Sequence, residues 1–253
     1  MNGMAEALRP RVRRARTWAS RHNGRLLADF ERRYNLNQLQ RCEASLNRHG
    51  RSLAACGSIL EFGCGEGRLL QHLFEYAPKA QVSGCDVRPE AIEACRRRFP
   101  AGRFAVNGAA PPLRFGGERF DLIYSYSVFT HFSEPNHLAW LGALAQALAP
   151  GGVMLHTVHS EAYLRRASLF SPEVLEKYRF PWPVETMPQA GPPYYYIADN
   201  PATPEYGHTI IRKAYVMARW PRASGLEVME YVEGAMEAYP EGCQDLVLMG
   251  KTT

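Results

Sequence analysis

The chain has 253 residues, 46% hydrophobic and 22% charged, with a formal net charge of +5. Those proportions suit one large globular domain with room for an extension or cap. The longest apolar runs, residues 121–128 and 152–158, exclude a bilayer-spanning helix of ~20 residues, and no two of the six cysteines have the C-x-x-C spacing of a zinc or redox site.

Charge is concentrated at the start. Residues 1–33 hold nine arginines (Arg9, Arg11, Arg13, Arg14, Arg16, Arg21, Arg25, Arg32 and Arg33) against Glu6, Asp29 and Glu31, so the rest of the chain is close to neutral. A basic segment of this kind fits an anionic partner such as a membrane surface, a nucleic acid or a phosphorylated substrate, or else a solvated helix or tail. It has no signal-peptide apolar stretch, which places the chain in the cytoplasm; a mitochondrial transit peptide is the alternative. Residues 17–49 then carry helical periodicity through Leu26, Leu27, Phe30, Tyr34, Leu36, Leu39 and Leu46. Residues 1–57 read as a helical extension, and 58–253 as the main domain.

In that domain strands and helices alternate. Residues 58–63 read as a first strand, 68–76 as an amphipathic helix, 81–86 as a second strand and 89–99 as a helix opened by Pro89. Residues 103–106 make a weak third strand, 120–126 a strong fourth, 135–148 an apolar helix stopped by Pro150-Gly151-Gly152, and 153–158 a fifth strand. Residues 226–232 and 245–249 are strand-like with no room for a crossover helix between them, so they pair antiparallel. The expected fold is α/β: a Rossmann-like sheet of about seven strands, mostly parallel with an antiparallel C-terminal strand and helices on both faces. Residues 161–221, rich in proline, tyrosine and tryptophan, are too long for a plain loop and read as a cap.

Glu61-Phe62-Gly63-Cys64-Gly65-Glu66-Gly67 lies between the first strand and the first helix. Glycines there allow a tight turn and close approach of a ligand to the backbone, and the helix N-terminus beyond offers N–H groups to an anion. The spacing is G-x-G-x-G; the dinucleotide fingerprint would need a glycine at Arg68. Glu61 suits a ligand bearing an ammonium group and offers nothing to a pyrophosphate. Asp86 closes the second strand, where a carboxylate accepts hydrogen bonds from both ribose hydroxyls. The plainer alternatives are a strand–helix turn for the glycines and a helix cap for Asp86. Cys64 reads as a small apolar residue.

On these segments the chain resembles the class I S-adenosylmethionine-dependent methyltransferase family. Residues 59–70 are similar to its first motif, 82–93 to the second-strand motif, 120–132 to the fourth-strand motif, 148–155 to the turn into the fifth strand, and 244–251 to the closing strand of many bacterial members. The resemblance implies S-adenosyl-L-methionine as cofactor. It implies that Gly63, Cys64 and Gly65, with Glu61, receive the methionine part, that Asp86 binds the ribose and that Val87 packs on the adenine. Asn107 and Gly108 would border the adenine edge, where many members carry an aspartate, and Ser125 and Tyr126 would lie beside the sulfur.

Methyl transfer depends on positioning the acceptor, and an O–H or N–H acceptor is served by a general base. His131 after the fourth strand and His159 after the fifth face the ligand crevice of a wound sheet; His156, inside its strand, reads as covered. Trp182, Tyr194, Tyr195, Tyr196 and Tyr206 line an acceptor pocket or form the cap's own core. Gly191-Pro-Pro-Tyr194 is similar to a motif of adenine amino-methyltransferases, but it stands in the wrong place. The expected acceptor is an O or N atom of a small molecule or glycan precursor, and no metal is implied. The alternatives are an RNA or protein methyltransferase docking through the arginine-rich segment, a nicotinamide-dependent oxidoreductase, and a non-catalytic scaffold.

Overall fold

The computed structural model describes residues 24–165, 176, 191–237 and 243–251. Arg9 to Arg21, Trp18 and Trp182 lie outside them. Helix α1 (Gly24–Arg48) leads through a short 3₁₀ turn (Leu53–Ala55) into β1 (Ser58–Phe62). There follow α2 (Leu70–Tyr76), β2 (Gln81–Asp86), α3 (Pro89–Arg98), β3 (Arg103–Val106), β4 (Phe120–Ser125), α4 (Glu134–Gln146), β5 (Leu148–Val158) and α5 (Glu161–Arg165). A hairpin of β6 (Tyr194–Asn200) and β7 (Thr203–Ile211), then α6 (Lys213–Ser224), β8 (Glu227–Glu237) and β9 (Cys243–Gly250), complete the described order.

Seven strands form one sheet in the order β3-β2-β1-β4-β5-β9-β8, while β6 and β7 pair separately. β1 to β5 are parallel; β9 runs antiparallel to both β5 and β8. The expected sheet is present, including its antiparallel ending. Alternation sends successive side chains to opposite faces. Ile59, Leu122, Leu155 and Leu248 join one core with Leu39, Cys42 and Leu46 of α1, Leu73 of α2 and Ile92 of α3. Leu60, Ile123, Met154 and Val247 join the other with Trp140 and Leu144 of α4 and Val216 and Trp220 of α6. Thus α1 shares the core of the sheet, and α6 lies against the sheet although it falls mostly within the stretch read as a cap. Among the described residues of that stretch, the hairpin pairs apart from the main sheet.

Local chemistry sets the element ends. α3 opens on Pro89 and Glu90 and closes on Arg96, Arg97 and Arg98, complementing the helix dipole at both ends. α6 stops at Gly225 in the left-handed conformation. α2 begins two residues later than its periodicity suggests. Gly67 holds φ +79, and a Cβ there would lie 2.6 Å from the Phe99 ring, so the turn is locked before the helix starts. β5 begins earlier than expected: Leu148 already pairs with Phe120, and a register shift absorbs the residues before Val153. Gly152 makes that shift possible, since a Cβ would meet the Phe120 carbonyl at 2.7 Å. No helix among the described residues is long and apolar enough to cross a membrane.

The chain order reverses between β1 and β4, so their C-terminal ends open the crevice where wound sheets bind ligands. Phe129, fully buried below that edge, packs on Phe62, Phe132, His137, His156 and Trp220 at ring separations of 4.5–6.4 Å. Phe129→Ala is expected to lower unfolding free energy by about 3–5 kcal/mol, because the surrounding rings cannot all collapse into the space. Urea denaturation monitored by fluorescence checks this; a loss below ~1 kcal/mol would contradict the packing.

Candidate functional site

The turn after β1 is shaped by the end of β2. The N–H groups of Gly63 and Cys64 both donate to the Cys85 carbonyl, at 2.8 and 2.9 Å. Gly65 N–H donates to Asp86 Oδ2 at 2.8 Å, and Asp86 Oδ1 accepts from the Arg88 N–H at 3.0 Å. Gly63 and Gly65 have φ of +76 and +53, and a Cβ on Gly63 would stand 2.3 Å from Val128. Both glycines are therefore demanded by conformation, and Gly63 also by space. Cys64 is buried, its sulfur facing the backbone of Gly84.

Glu61 lies beneath this turn at 3% exposure, and its Oε2 has no partner among the described residues. Burial raises its carboxyl well above the usual 4.5, with Cys95 and Asp86 adding to the rise. Beside Asp86, Val87 is 54% exposed, an apolar side chain left open to a flat ligand. Asn107 is buried: its N–H donates to the Asp86 carbonyl, its Nδ2 to Cys85 Sγ at 3.2 Å, and its Oδ1 accepts from Arg114 N–H at 3.1 Å. The amide thus holds the loop that begins at Gly108. These residues, Glu61 to Gly65, Asp86, Val87, Asn107 and Gly108, converge on one side of the crevice.

Ser125 and Tyr126 diverge. Ser125 is fully buried, its Oγ 2.7 Å from Nδ1 of His156 in the aromatic layer. Burial pushes His156 down to about 3, so it stays neutral. Tyr126 turns the other way, its hydroxyl 2.8 Å from that of Tyr34 on α1. Ser127 then takes φ +58, a conformation uncommon outside glycine. Its N–H donates to Thr157 Oγ1 at 2.8 Å and its Oγ accepts from Gln244 Nε2 at 3.0 Å.

The hairpin closes the far side. His131 Nδ1 donates to the Gly207 carbonyl at 2.7 Å, and its ring stacks on Tyr206 at 4.6 Å. His159 is buried and stacks on Tyr163 at 3.9 Å. Burial holds it well below the ordinary imidazole value, with His131 and His208 adding to the fall. His208 pairs with Asp199 at 2.9 Å. Tyr194 is an anchor, donating to the Phe132 carbonyl at 2.9 Å. Among the described residues no three His, Cys, Asp or Glu side chains form a metal-holding group. Tyr34, Ser127, Asp199, His208 and Gln244 escaped sequence reasoning as site residues. Tyr34, Ser127 and Gln244 left a trace, in the helical periodicity, the fourth-strand motif and the closing-strand motif.

Residues 59–152 match the family model described as a methyltransferase domain. The chain is similar to the ubiquinone biosynthesis O-methyltransferase of Cereibacter sphaeroides, 33% identical over 100 residues, covering 38% of this chain and 39% of that protein. It is also similar to the trans-aconitate 2-methyltransferase of Methylobacterium nodulans, 32% identical over 108 residues, covering 40% and 38%. The chain therefore spans about two fifths of the length of these curated relatives. Among solved structures, an S-adenosylmethionine-dependent methyltransferase from Clostridium acetobutylicum superposes with a TM-score of 0.57 at 14% identity, covering 94% of this chain and 98% of that one. The 1,6-didemethyltoxoflavin-N1-methyltransferase of Burkholderia thailandensis gives 0.56 at 17% identity, covering 96% and 89%. These two share the fold.

Burial of Glu61 has a thermodynamic consequence. The folded state holds a proton that the unfolded chain releases near pH 4.5, so stability falls as pH rises above that value, until the folded carboxyl itself ionises. Glu61→Gln removes this linkage. The variant is expected to melt about 2–4 °C above wild type at pH 7.5, the shift that ~1 kcal/mol gives at this chain length, with a smaller difference at pH 5. Scanning calorimetry at the two pH values checks it.

Proposed function

We propose that the protein, whose residues 59–152 match the methyltransferase-domain family model, transfers a methyl group from S-adenosyl-L-methionine to an O or N atom of a small molecule or glycan precursor. The observation that carries this reading is the pairing of two carboxylates across one glycine turn: Glu61, buried with an unpartnered oxygen, and Asp86, hydrogen-bonded to the turn itself.

The residues fit the cofactor. The Glu61 carboxyl suits the ammonium of its methionine part, whose charge would relieve the penalty of ionising there. Asp86 has lone pairs beyond those taken by Gly65 and Arg88 for the ribose hydroxyls, and Val87 offers an exposed apolar face to the adenine. Asn107 and Gly108 border that edge, and Tyr126 with Tyr34 bounds the crevice on the α1 side. When bound, the cofactor supplies a methyl carbon activated by a sulfonium. The chain's own part is to orient the acceptor in line with that carbon and to take its proton. His131 and His159 are the assigned bases. A neutral imidazole accepts a proton without first losing one; burial keeps His159 neutral but also disfavours the imidazolium that accepting a proton would form.

A small acceptor is supported by the named activities of the curated relatives, which are ubiquinone biosynthesis and trans-aconitate methylation. The glycan variant rests on likeness to the family alone. The arginine-rich residues 1–33 favour a second reading, in which this segment docks an anionic partner such as RNA; binding that weakens steeply with salt is its signature. The scattered cysteine spacing supports a cytoplasmic site of action.

Titration calorimetry of S-adenosylhomocysteine, with NAD as control, tests the reading. Wild type is expected to bind the homocysteine product at micromolar concentration. Asp86→Ala is expected to weaken binding at least tenfold, ~1.4 kcal/mol. Preference for NAD, or no binding by wild type, would leave only the sheet architecture standing.

A further inference from the structure

The strand β7 does more than bound the crevice. Its Gly207 N–H donates to the His131 carbonyl at 3.1 Å, and its Thr209 N–H to the Thr130 carbonyl at 2.8 Å. The segment after β4 is therefore bonded to the hairpin along its backbone. Gly207 also accepts, through its carbonyl, from Nδ1 of the His131 ring at 2.7 Å. One residue of the hairpin thus grips both the backbone and the side chain of His131. A carbonyl has no proton to give, so Nδ1 carries the hydrogen. In the neutral ring the lone pair then resides on Nε2. Free histidine in water favours the opposite tautomer.

The flanking residues fix the ring itself. Tyr206 lies nearly parallel to it, 4.6 Å away at 14°. His208 approaches at 5.7 Å and 60°. His208 is buried and tied by Nε2 to Asp199 Oδ1 on β6, at 2.9 Å. No residue but glycine fits at 207. A Cβ would stand 2.1 Å from the Ile197 carbonyl oxygen and 2.8 Å from the Ala198 Cα, both backbone atoms of β6. The close approach of β6 and β7 at this point is what brings the Gly207 carbonyl to the ring.

We propose that Tyr206-Gly207-His208, held by Asp199, is the positioning device of His131: it fixes the imidazole in the Nδ1–H tautomer and in one ring plane, making Nε2 the nitrogen that takes the acceptor's proton. The assignment of Nε2 as proton acceptor rests on the methyl-transfer reading; the tautomer and its cause do not. Asp199 acts in this device through His208, so its substitution tests the positioning apart from the turn after β1.

The test is nitrogen-15 spectroscopy of the full-length chain labelled at histidine, at pH 8, with two-bond correlations reporting which ring nitrogen is protonated. A His131→Gln variant assigns the signal. Wild type is expected to show His131 with Nδ1 protonated. Gly207→Ala, which forces β6 and β7 apart, is expected to move most of the ring population to the Nε2–H form. Asp199→Asn, which frees His208 without adding bulk, is expected to leave a mixture of the two tautomers. Wild type in the Nε2–H form overturns the proposal, as does Gly207→Ala with the wild-type tautomer. Should Gly207→Ala fail to fold, Asp199→Asn decides alone, an unchanged tautomer overturning the device. S-adenosylhomocysteine affinity, measured on the same samples, is expected to stay within twofold of wild type in Asp199→Asn. Failure of wild type to bind it would sink the methyl-transfer reading, while the tautomer result would still decide the positioning.

Discussion

The hydrogen bonds from the turn after β1 to the end of β2 organise the ligand-facing edge of the sheet. Two successive N–H groups, of Gly63 and Cys64, share the Cys85 carbonyl, and the next glycine takes the Asp86 carboxylate. Three backbone donors of a loop that no ladder reaches are satisfied this way, as buried backbone groups must be. The geometry requires positive φ at Gly63 and Gly65. It also places Asp86 against the turn, keeps Val87 open, and hands the Asp86 carbonyl to Asn107, which in turn fixes the entry to the loop at Gly108. A change at any one of these positions is felt at the others, because they share donors and acceptors.

Glu61 shows what such an edge demands of stability. A carboxyl with an unpartnered oxygen beneath a packed turn is unfavourable in the ligand-free fold. Its neighbours increase the strain: Asp86 is another carboxylate, and Cys95 adds to the rise in its pKa. A structure selected for stability alone would place an apolar residue there. In the proposed reading the carboxyl is one half of an interaction whose other half is a cation, which makes it a candidate marker of the site as well as a weakness of the fold.

Much of this was legible in the chain itself. The central strands are buried on both faces and so read as unbroken apolar runs, and the helices between them carry their own caps and charges. The glycine turn and its two acids were legible because conformation and charge are local properties. What sequence hid was long-range. Ser125 lies at the expected strand end, yet its hydroxyl is committed to His156, 31 residues on along the chain, whose ring is packed by Trp220 from a segment more remote still. Tyr34 meets Tyr126 only because α1 packs across the face of the sheet. The hairpin was hidden for a further reason. Its strands pair mainly with each other, and the partners that fix its position are the ends of β4 and β5, which no periodicity within residues 191–211 can announce.

Those attachments explain how a segment outside the main sheet still presents side chains at defined places. Gly207, Thr209 and Ile211 donate in turn to the carbonyls of His131, Thr130 and His159. They are alternate residues of one strand, so their N–H groups point the same way, toward the segments that follow β4 and β5. Tyr194 adds a fourth tie, to the Phe132 carbonyl, from the other strand. The hairpin takes its coordinates from strand ends that are themselves held in the buried C-terminal parts of β4 and β5. A group on the hairpin is therefore positioned with the precision of the sheet, while its sequence is free of the demands of the core. Loops carried on a rigid scaffold combine these two properties, and here the two proposed bases, His131 and His159, sit where the scaffold and the hairpin meet.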